Sequence, residues 1–441
     1  MSFMDLRDKK VLVMGLGLHG GGEGTIRFLS KKGAKITVTD LRSRKTLASS
    51  LKNLKNIRHI RYILGKHRER DILWADLIIK NPGVKPDSPF LGLARRHKIP
   101  ITTDLGIFFK SSPAMIIGVT GTRGKSTTAH LIAEFLRKGA RKKVFLGGNI
   151  RKSVLDFLGR IKAEDLVVLE LSSFQLEDLS YEKISPHIAV FTNIYRDHLN
   201  WHKNMADYMR AKKYIFTFQG PQDYLIANPD DARVRKLAKT ARGEVVFPRL
   251  DRKFKAIVDE NLGKHYESSV ALAISAAKLF KISDKVIKKV LSDFHGLEGR
   301  QKQIAVIRGV HFISDTTATI PDAAIAALRR FRPKAKKLIV ITGGQDKKLQ
   351  FEEMIKALKK LADQIILLPG TATEKLKKYL PDEKVSLARS MKEAVRYACK
   401  AAKPGDYVLL SPGAASFGLF LNEFDRGAQF IKEVQRQKHV F

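Results

Sequence analysis

The chain has 441 residues and a single cysteine, and its 82 Lys and Arg against 44 Asp and Glu leave a formal charge of +38. One cysteine excludes an internal disulfide framework. No apolar run approaches the roughly 20 residues that cross a bilayer, so no membrane partner is expected.

The length suits about three domains. Met1 to Lys10 has no signal-peptide core, so a reducing cytoplasm is expected, with Cys399 read as core filler. The basic excess is scattered, for example over Lys52, Lys55, Arg68, Arg70, Lys142, Lys143, Lys347, Lys348, Lys375, Lys377 and Lys378. Such scatter predicts incidental, salt-sensitive association with nucleic acid rather than a dedicated stripe with interleaved aromatics.

Lys10 to Gly17 is a buried-strand run ending in Gly15-Leu16-Gly17-Leu18-His19-Gly20, followed by a helical stretch and a second strand, Lys35 to Asp40. This is a Rossmann-type opening, in which the glycines admit a pyrophosphate and Asp40 can bond a ribose or base. A plain tight turn is an equal reading of the same residues. After a boundary near Thr102 to Lys110, the apolar run Ala114 to Val119 leads into Gly121-Thr122-Arg123-Gly124-Lys125-Ser126-Thr127 and then a helix with apolar spacing at Ala129, Ile132, Ala133 and Leu136. Glycines between a strand and a helix let backbone N–H groups converge on phosphates. Lys125 then reaches the β/γ-phosphates and the Ser126 hydroxyl meets Mg²⁺. The standard spacing wants a glycine five positions before Gly124, where Val119 stands.

Further strands are predicted at Val144 to Leu146, Leu166 to Leu171, His187 to Asn193, Asp223 to Asn228 and Glu244 to Phe247, with a helix at Glu267 to Phe280. Glu170 then ends a strand beside the phosphate loop, and His198 follows the next strand on the same rim. Each alone reads as an ordinary surface residue; together they suit a metal site. Ala206 to Phe218 has helical spacing that turns Lys212 toward the apolar face with Tyr208, Ala211 and Ile215. On spacing alone Lys212 also reads as a lysine snorkelling from that face. The last third predicts a second Rossmann-like sheet, with strands at Lys337 to Ile341, Gln364 to Leu368, Lys384 to Leu387 and Tyr407 to Leu410, and helices from near Phe351, Thr373, Met391 and Leu421.

Thr120-Gly121-Thr122-x-Gly124-Lys125-Ser126, Gly147 to Ile150, Glu170-Leu171-Ser172-Ser173-Phe174-Gln175-Leu176 and Asn193 to His198 resemble the Mur ligase family, amide-forming enzymes of peptidoglycan synthesis. So do Asp315 to Thr319, Gly343 to Lys347 and Ser411 to Phe417, and the Glu170–Leu176 string resembles the branch that adds D-glutamate. The resemblance implies an α/β chain of three domains: 1–102 for the UDP substrate, 103–299 for ATP and 300–441 for the acceptor. It implies a monomer acting on UDP-N-acetylmuramoyl-L-alanine and D-glutamate, with ATP and two Mg²⁺ sites.

By the same resemblance Gly17, Leu18, His19, Asp40, Arg42, Asn149, Ser172, Gln175, Thr319, Lys347 and Ser416 contact substrates. Gly121, Thr122, Gly124, Lys125, Ser126, Thr127, Arg300 and Asp315 hold the nucleotide. Lys125, Glu170, His198 and Lys212 are catalytic; Ser126, Glu170, His198 and Lys212 bind metal, with Lys212 carbamylated. The chain departs from the family pattern at Asn81 (serine), His265 to Ser269 (asparagines), Gly299 (histidine) and Thr317 (lysine). A sibling ligase with another acceptor, and a basic phosphate-loop ATPase acting on nucleic acid, are the alternative functions.

Overall fold

The computed structural model describes residues 5–18, 20–150, 153–199, 201–294 and 296–437. His19, one of the expected nucleotide contacts, lies outside them. The first sheet holds β1 (Lys10–Met14), β2 (Lys35–Asp40), β3 (Ile60–Leu64), β4 (Leu77–Lys80) and β5 (Ile101–Thr102) in the order β3-β2-β1-β4-β5, all parallel. Val11 to Met14 and Leu77 to Lys80 are buried without a break, because a parallel sheet covered on both faces favours continuous apolar runs over alternation. The order reverses between β1 and β4. The loops after these two strands, Gly15–Leu18 and Asn81–Gly83, therefore flank the crevice where open α/β sheets take ligands.

The second sheet holds β6 (Met115–Thr120), β7 (Val144–Gly148), β8 (Leu166–Glu170), β9 (Ile188–Phe191), β10 (Tyr224–Ala227) and β11 (Glu244–Val246), ordered β11-β10-β9-β6-β8-β7 and again all parallel. β6 lies between β8 and β9. The phosphate loop is thereby flanked by the carboxyl ends of the strands that carry Glu170 and lead to His198.

The third sheet holds β12 (Lys302–Ile307), β13 (Val310–Ser314), β14 (Leu338–Gly343), β15 (Gln364–Leu368), β16 (Val385–Leu387) and β17 (Tyr407–Leu410), ordered β12-β13-β17-β14-β15-β16. Only β12 and β13 pair antiparallel. Their two-residue turn is Arg308-Gly309, both at positive φ (49° and 76°), the geometry whose twist matches a hairpin.

The chain forms two compact units. One runs to Val258 and includes Tyr266–Leu291; the other is Asp259–His265 with the chain from Ser292 onward. The first unit carries two sheets on one core. Phe157 packs on Phe108 (5.6 Å between ring centroids) and stacks on Phe145 (5.3 Å), and Arg27 makes a two-bond fork to Asp156 at 2.9 Å each. A buried ion pair, Lys80 to Asp178 at 2.7 Å, joins the end of β4 to the helix Ser173–Glu182.

Two sequence readings need correction. The helix expected over Ala206 to Phe218 spans Met205–Lys213. Beyond it Ile215 and Phe216 donate three residues back, to Lys212 and Lys213 carbonyls, so the β-branched and aromatic run closes in tight turns. The strand expected to reach Gly17 ends at Met14, because Gly15 and Gly17 adopt φ of 95° and 70° and turn the chain. Among the described residues no helix is long and apolar enough to cross a membrane.

Candidate active site

β6 delivers the chain to a loop in which Gly121 (φ 146°) and Gly124 (φ 78°) occupy backbone states that side chains avoid. Space reinforces the requirement. A Cβ on Gly124 would stand 2.5 Å from Ser269 Oγ, at the start of the helix Glu267–Lys278. That helix, capped by Tyr266, therefore abuts the loop with a serine. Gly124 caps the 15-residue helix Lys125–Gly139, whose first-turn N–H groups and dipole favour an anion there.

The neighbouring strand ends hold the loop in shape. Thr122 N–H donates to Asn193 O (2.9 Å) and Arg123 N–H to Asn193 Oδ1 (2.8 Å). Thr122 Oγ1 accepts from Tyr195 N–H at 2.9 Å and lies 3.0 Å from the Tyr208 hydroxyl. Lys125 Nζ folds over the loop onto the carbonyls of Gly121 (3.0 Å) and Thr122 (2.9 Å). Thr127 is buried.

Glu170, 2 % exposed, is the carboxylate of this rim. Ser126 Oγ donates to its Oε2 at 2.5 Å, and Asn149 Nδ2 donates to its Oε1 at 2.9 Å. Asn149, expected among the substrate contacts, thus holds the carboxylate. Ser126 and Glu170 together present hard oxygen donors beside a phosphate loop, a donor set that fits Mg²⁺.

Lys212 is buried and donates from Nζ to Gly121 O at 2.7 Å. Burial, then the nearby Lys125 ammonium, push its pKa well below the usual lysine range, against the pull of Asp197 and Glu170. His198 sits in the left-handed region (φ 55°) with its side chain 39 % exposed and its Nε2 3.5 Å from Asp197 Oδ2. Its ring meets Phe174 edge-on at 5.1 Å. No three His, Cys, Asp or Glu side chains converge as a metal cluster among the described residues.

Ser172 and Gln175, expected to touch substrate, form a capping box. Gln175 N–H donates to Ser172 Oγ (3.3 Å) and Ser172 N–H to Gln175 Oε1 (3.0 Å). The signal was in the sequence: Ser-x-x-Gln before an apolar helix is the signature of that motif.

In the first sheet the glycine loop is tied down from three sides. Asp40, 2 % exposed, accepts from Gly17 N–H (3.0 Å) and from Arg42 N–H (2.8 Å), while the Ser50 hydroxyl donates to Gly17 O (3.0 Å). Asp40 thus shapes the loop from below, Leu18 beside it is half-buried, and the Arg42 side chain is about half exposed. Asn81 fits beneath the loop: a Cβ on Gly15 would stand 2.8 Å from Asn81 Cβ.

The second unit gathers three loops at the carboxyl edge of its sheet. Gln345 and Ala415 exchange backbone bonds at 2.9 Å, Gly413 N–H donates to Ala318 O (2.8 Å), and Ser411 Oγ donates to Asp315 Oδ2 (2.8 Å). Arg426, fully buried, donates to Thr316 O (2.7 Å) and Ala414 O (3.2 Å). Burial pushes Asp315 up to about 7, opposed by the Ser411 bond and the Arg300 charge. The Thr317 hydroxyl donates to Gly299 O (3.0 Å). Ser416 is buried, Thr319 and Lys347 are half-buried, and Asp346 beside Lys347 is paired to Lys375 at 2.7 Å.

Three parallel-type α/β sheets, with a glycine loop on the first and a phosphate loop flanked by a buried carboxylate and a buried lysine on the second, define a phosphate-loop enzyme of modular α/β build. Three family models match in succession: the Mur ligase MurD-like N-terminal domain over residues 9–103, the Mur ligase middle domain over 119–292, and the Mur ligase glutamate ligase domain over 299–413. The UDP-N-acetylmuramoylalanine–D-glutamate ligase of Roseiflexus sp. (strain RS-1) is 38 % identical, with 98 % of this chain and 99 % of that protein covered. The one from Clostridioides difficile (strain 630) is 34 % identical over 99 % and 100 %. The chain belongs to the Mur ligase family. Among solved structures, UDP-N-acetylmuramate-alanine ligase MurC from Thermotoga maritima shares the fold with a TM-score of 0.64 at 18 % identity, covering 98 % of this chain and 100 % of that one. MurF ligase from Thermotoga maritima in complex with ADP gives 0.59 at 16 %, covering 99 % and 97 %.

Proposed function

We propose that this chain joins D-glutamate to UDP-N-acetylmuramoyl-L-alanine at the expense of ATP, in the synthesis of peptidoglycan precursors. The observation that carries the reading is the convergence of Lys125, Ser126, Glu170 and Lys212 on one phosphate loop, in a chain matched end to end by ligases of that name. The division of labour is 1–102 for the donor nucleotide, 103–299 for ATP and 300–441 for the acceptor.

A carboxylate is a poor electrophile until one oxygen becomes part of a leaving group. An oxygen of the alanine carboxylate attacks the γ-phosphorus of ATP, the bond from that phosphorus to the ADP oxygen breaks, and an acyl phosphate forms. The neutral amine of D-glutamate then attacks the acyl carbon. Phosphate leaves with the electrons of the C–O bond, and the surplus proton on nitrogen passes to solvent.

Gly121, Gly124 and the start of the helix Lys125–Gly139 cradle phosphates through N–H groups, and Lys125 swings from the loop carbonyls to the transferring phosphoryl group. Ser126 and Glu170, with His198 and a carbamylated Lys212 toward a second ion, would hold Mg²⁺, which neutralises phosphate charge. A lysine kept neutral by burial can add CO₂ and become an anionic oxygen ligand. Thr319, Lys347 and Ser416 take the acceptor, with Lys347 the cation for its carboxylates, because Thr317 is committed to the Gly299 carbonyl.

Phosphate release measured with the donor and a panel of D- and L-amino acids tests the assignment. Release that requires both the donor and D-glutamate is expected. A clear preference for another acceptor makes the chain a sibling ligase. RNA-stimulated ATP hydrolysis without the donor would sink the ligase reading.

A further inference from the structure

The donor, as proposed, must reach from the glycine loop of the first sheet to the phosphate loop of the second. One short stretch of chain already spans that interval. Its beginning, Asn81, packs under Gly15 and Gly17. Its end, Lys85, places its ammonium 5.6 Å from the ring centroid of Trp201, three residues past His198 on the phosphate-loop rim. What lies beside this stretch lies between the nucleotide end and the reacting end of the donor.

Trp201 is held there firmly. Its ring packs against Phe174 at 4.6 Å between centroids, and Phe174 in turn touches His198 and stacks on the buried His202. The Glu177 carboxylate, on the helix that Ser172 caps, lies near the indole. Backbone bonds from Trp201 and His202 N–H to His198 O, both 3.0 Å, fix the turn that presents it. Phe174 packs on the indole, which is half-buried, and the exposed Lys85 lies over its ring. A flexible ammonium on an indole at the surface is held weakly, so a ligand can displace it.

We propose that Trp201 is the platform for the pyranose ring of the donor, with Lys85 moving from the indole to an anionic group of the same molecule. The chemistry suits the segment between a diphosphate and a carboxylate. A pyranose presents polarised C–H bonds on its face and hydroxyls on its rim, and an indole offers a flat, electron-rich surface with few rotamers to freeze. The ammonium released from the ring finds phosphate or lactyl oxygens within reach of its stem. The inference rests on the proposed donor.

The chain has two tryptophans, Trp74 and Trp201, so a Trp74→Phe background reports on Trp201 alone. We expect UDP-N-acetylmuramoyl-L-alanine to change its emission, and UDP alone to leave the emission unaltered while still binding by calorimetry. In steady state Trp201→Ala should raise the donor KM about ten-fold with the ATP KM within about two-fold of wild type. Trp201→Tyr should recover most of that loss, and Lys85→Ala should raise the donor KM about three-fold. Donor binding by calorimetry with unchanged Trp201 emission, or the same emission change with UDP alone, overturns the platform and leaves the ligase reading standing. A donor that does not bind overturns both.

Discussion

A buried carboxylate and a buried amine flank the phosphate loop, and each is set by what surrounds it. Glu170 is buried and its two oxygens each accept a hydrogen bond, from Ser126 and from Asn149. Lys212 is buried on the Gly121 carbonyl, and burial with the nearby Lys125 outweighs the pull of Asp197 and Glu170, so its neutral form is the one the site favours. Replacing Lys212 by alanine is expected to lower kcat by at least about a hundred-fold while ATP affinity changes by less than about three-fold. Added acetate should restore part of the rate by standing in for the proposed carbamate. Near-normal turnover in Lys212→Ala would remove the residue from the mechanism. Asp315 carries the opposite sign. Its folded pKa of about 7 lies above the ordinary 3.8, so between those values the folded chain binds a proton the unfolded chain lacks. Stability therefore falls as pH rises from about 4 to about 7 and then levels, by at most about 4 kcal/mol for three units. Asp315→Asn should flatten that part of the profile in denaturant melts from pH 4 to 8; an unchanged slope would show that other groups produce it.

At the scale of elements, several residues expected to meet ligands also serve as caps and loop ties. Ser172→Ala removes the acceptor for Gln175 N–H at the start of the helix Ser173–Glu182, a loss of about 1 kcal/mol. Thermal melts should show that loss with the donor KM little changed; a large donor KM effect without destabilisation would return Ser172 to the substrate contacts. The strands around the phosphate loop were legible because buried parallel strands are unbroken apolar runs, as in Leu166–Glu170, and because Gly121 and Gly124 fit only a turn that needs them. Spacing along the chain places Asp40 at the end of its strand, where it can meet a ribose or base, and does not show that its oxygens also accept from Gly17 N–H and Arg42 N–H. Lys212 was legible as inward-facing, but its helix was drawn too long because i, i+3, i+4 spacing persists through the tight turns after Lys213. The β12–β13 hairpin went unread although Arg308-Gly309 marks its turn. The Lys80–Asp178 pair and the Arg27–Asp156 fork, 98 and 129 residues apart in sequence, have no local signal.

For the whole molecule the +38 charge is the feature the chemistry does not use. The cations are spread through the whole sequence rather than gathered in one run, so the field is broad. Exposed pairs such as Lys356–Glu353 and Arg396–Glu393 contribute little each and weaken in salt. Net repulsion among the remaining cations also weakens in salt, because the Debye length shrinks from about 10 Å at 0.1 M to about 3 Å at 1 M. The two effects oppose each other. With nearly two cations for every anion, repulsion wins, and Tm should rise by a few degrees as KCl is raised from low concentration to about 0.5 M. The same field draws polyanions through counterion release, so association with RNA should be tight at about 0.05 M salt and lost by about 0.3 M. Phosphate release with donor and D-glutamate should be indifferent to added RNA at the higher salt. A Tm that falls with salt would mean that ion pairs outweigh repulsion, and RNA binding that survives 0.3 M would mean that some cations form a dedicated stripe after all.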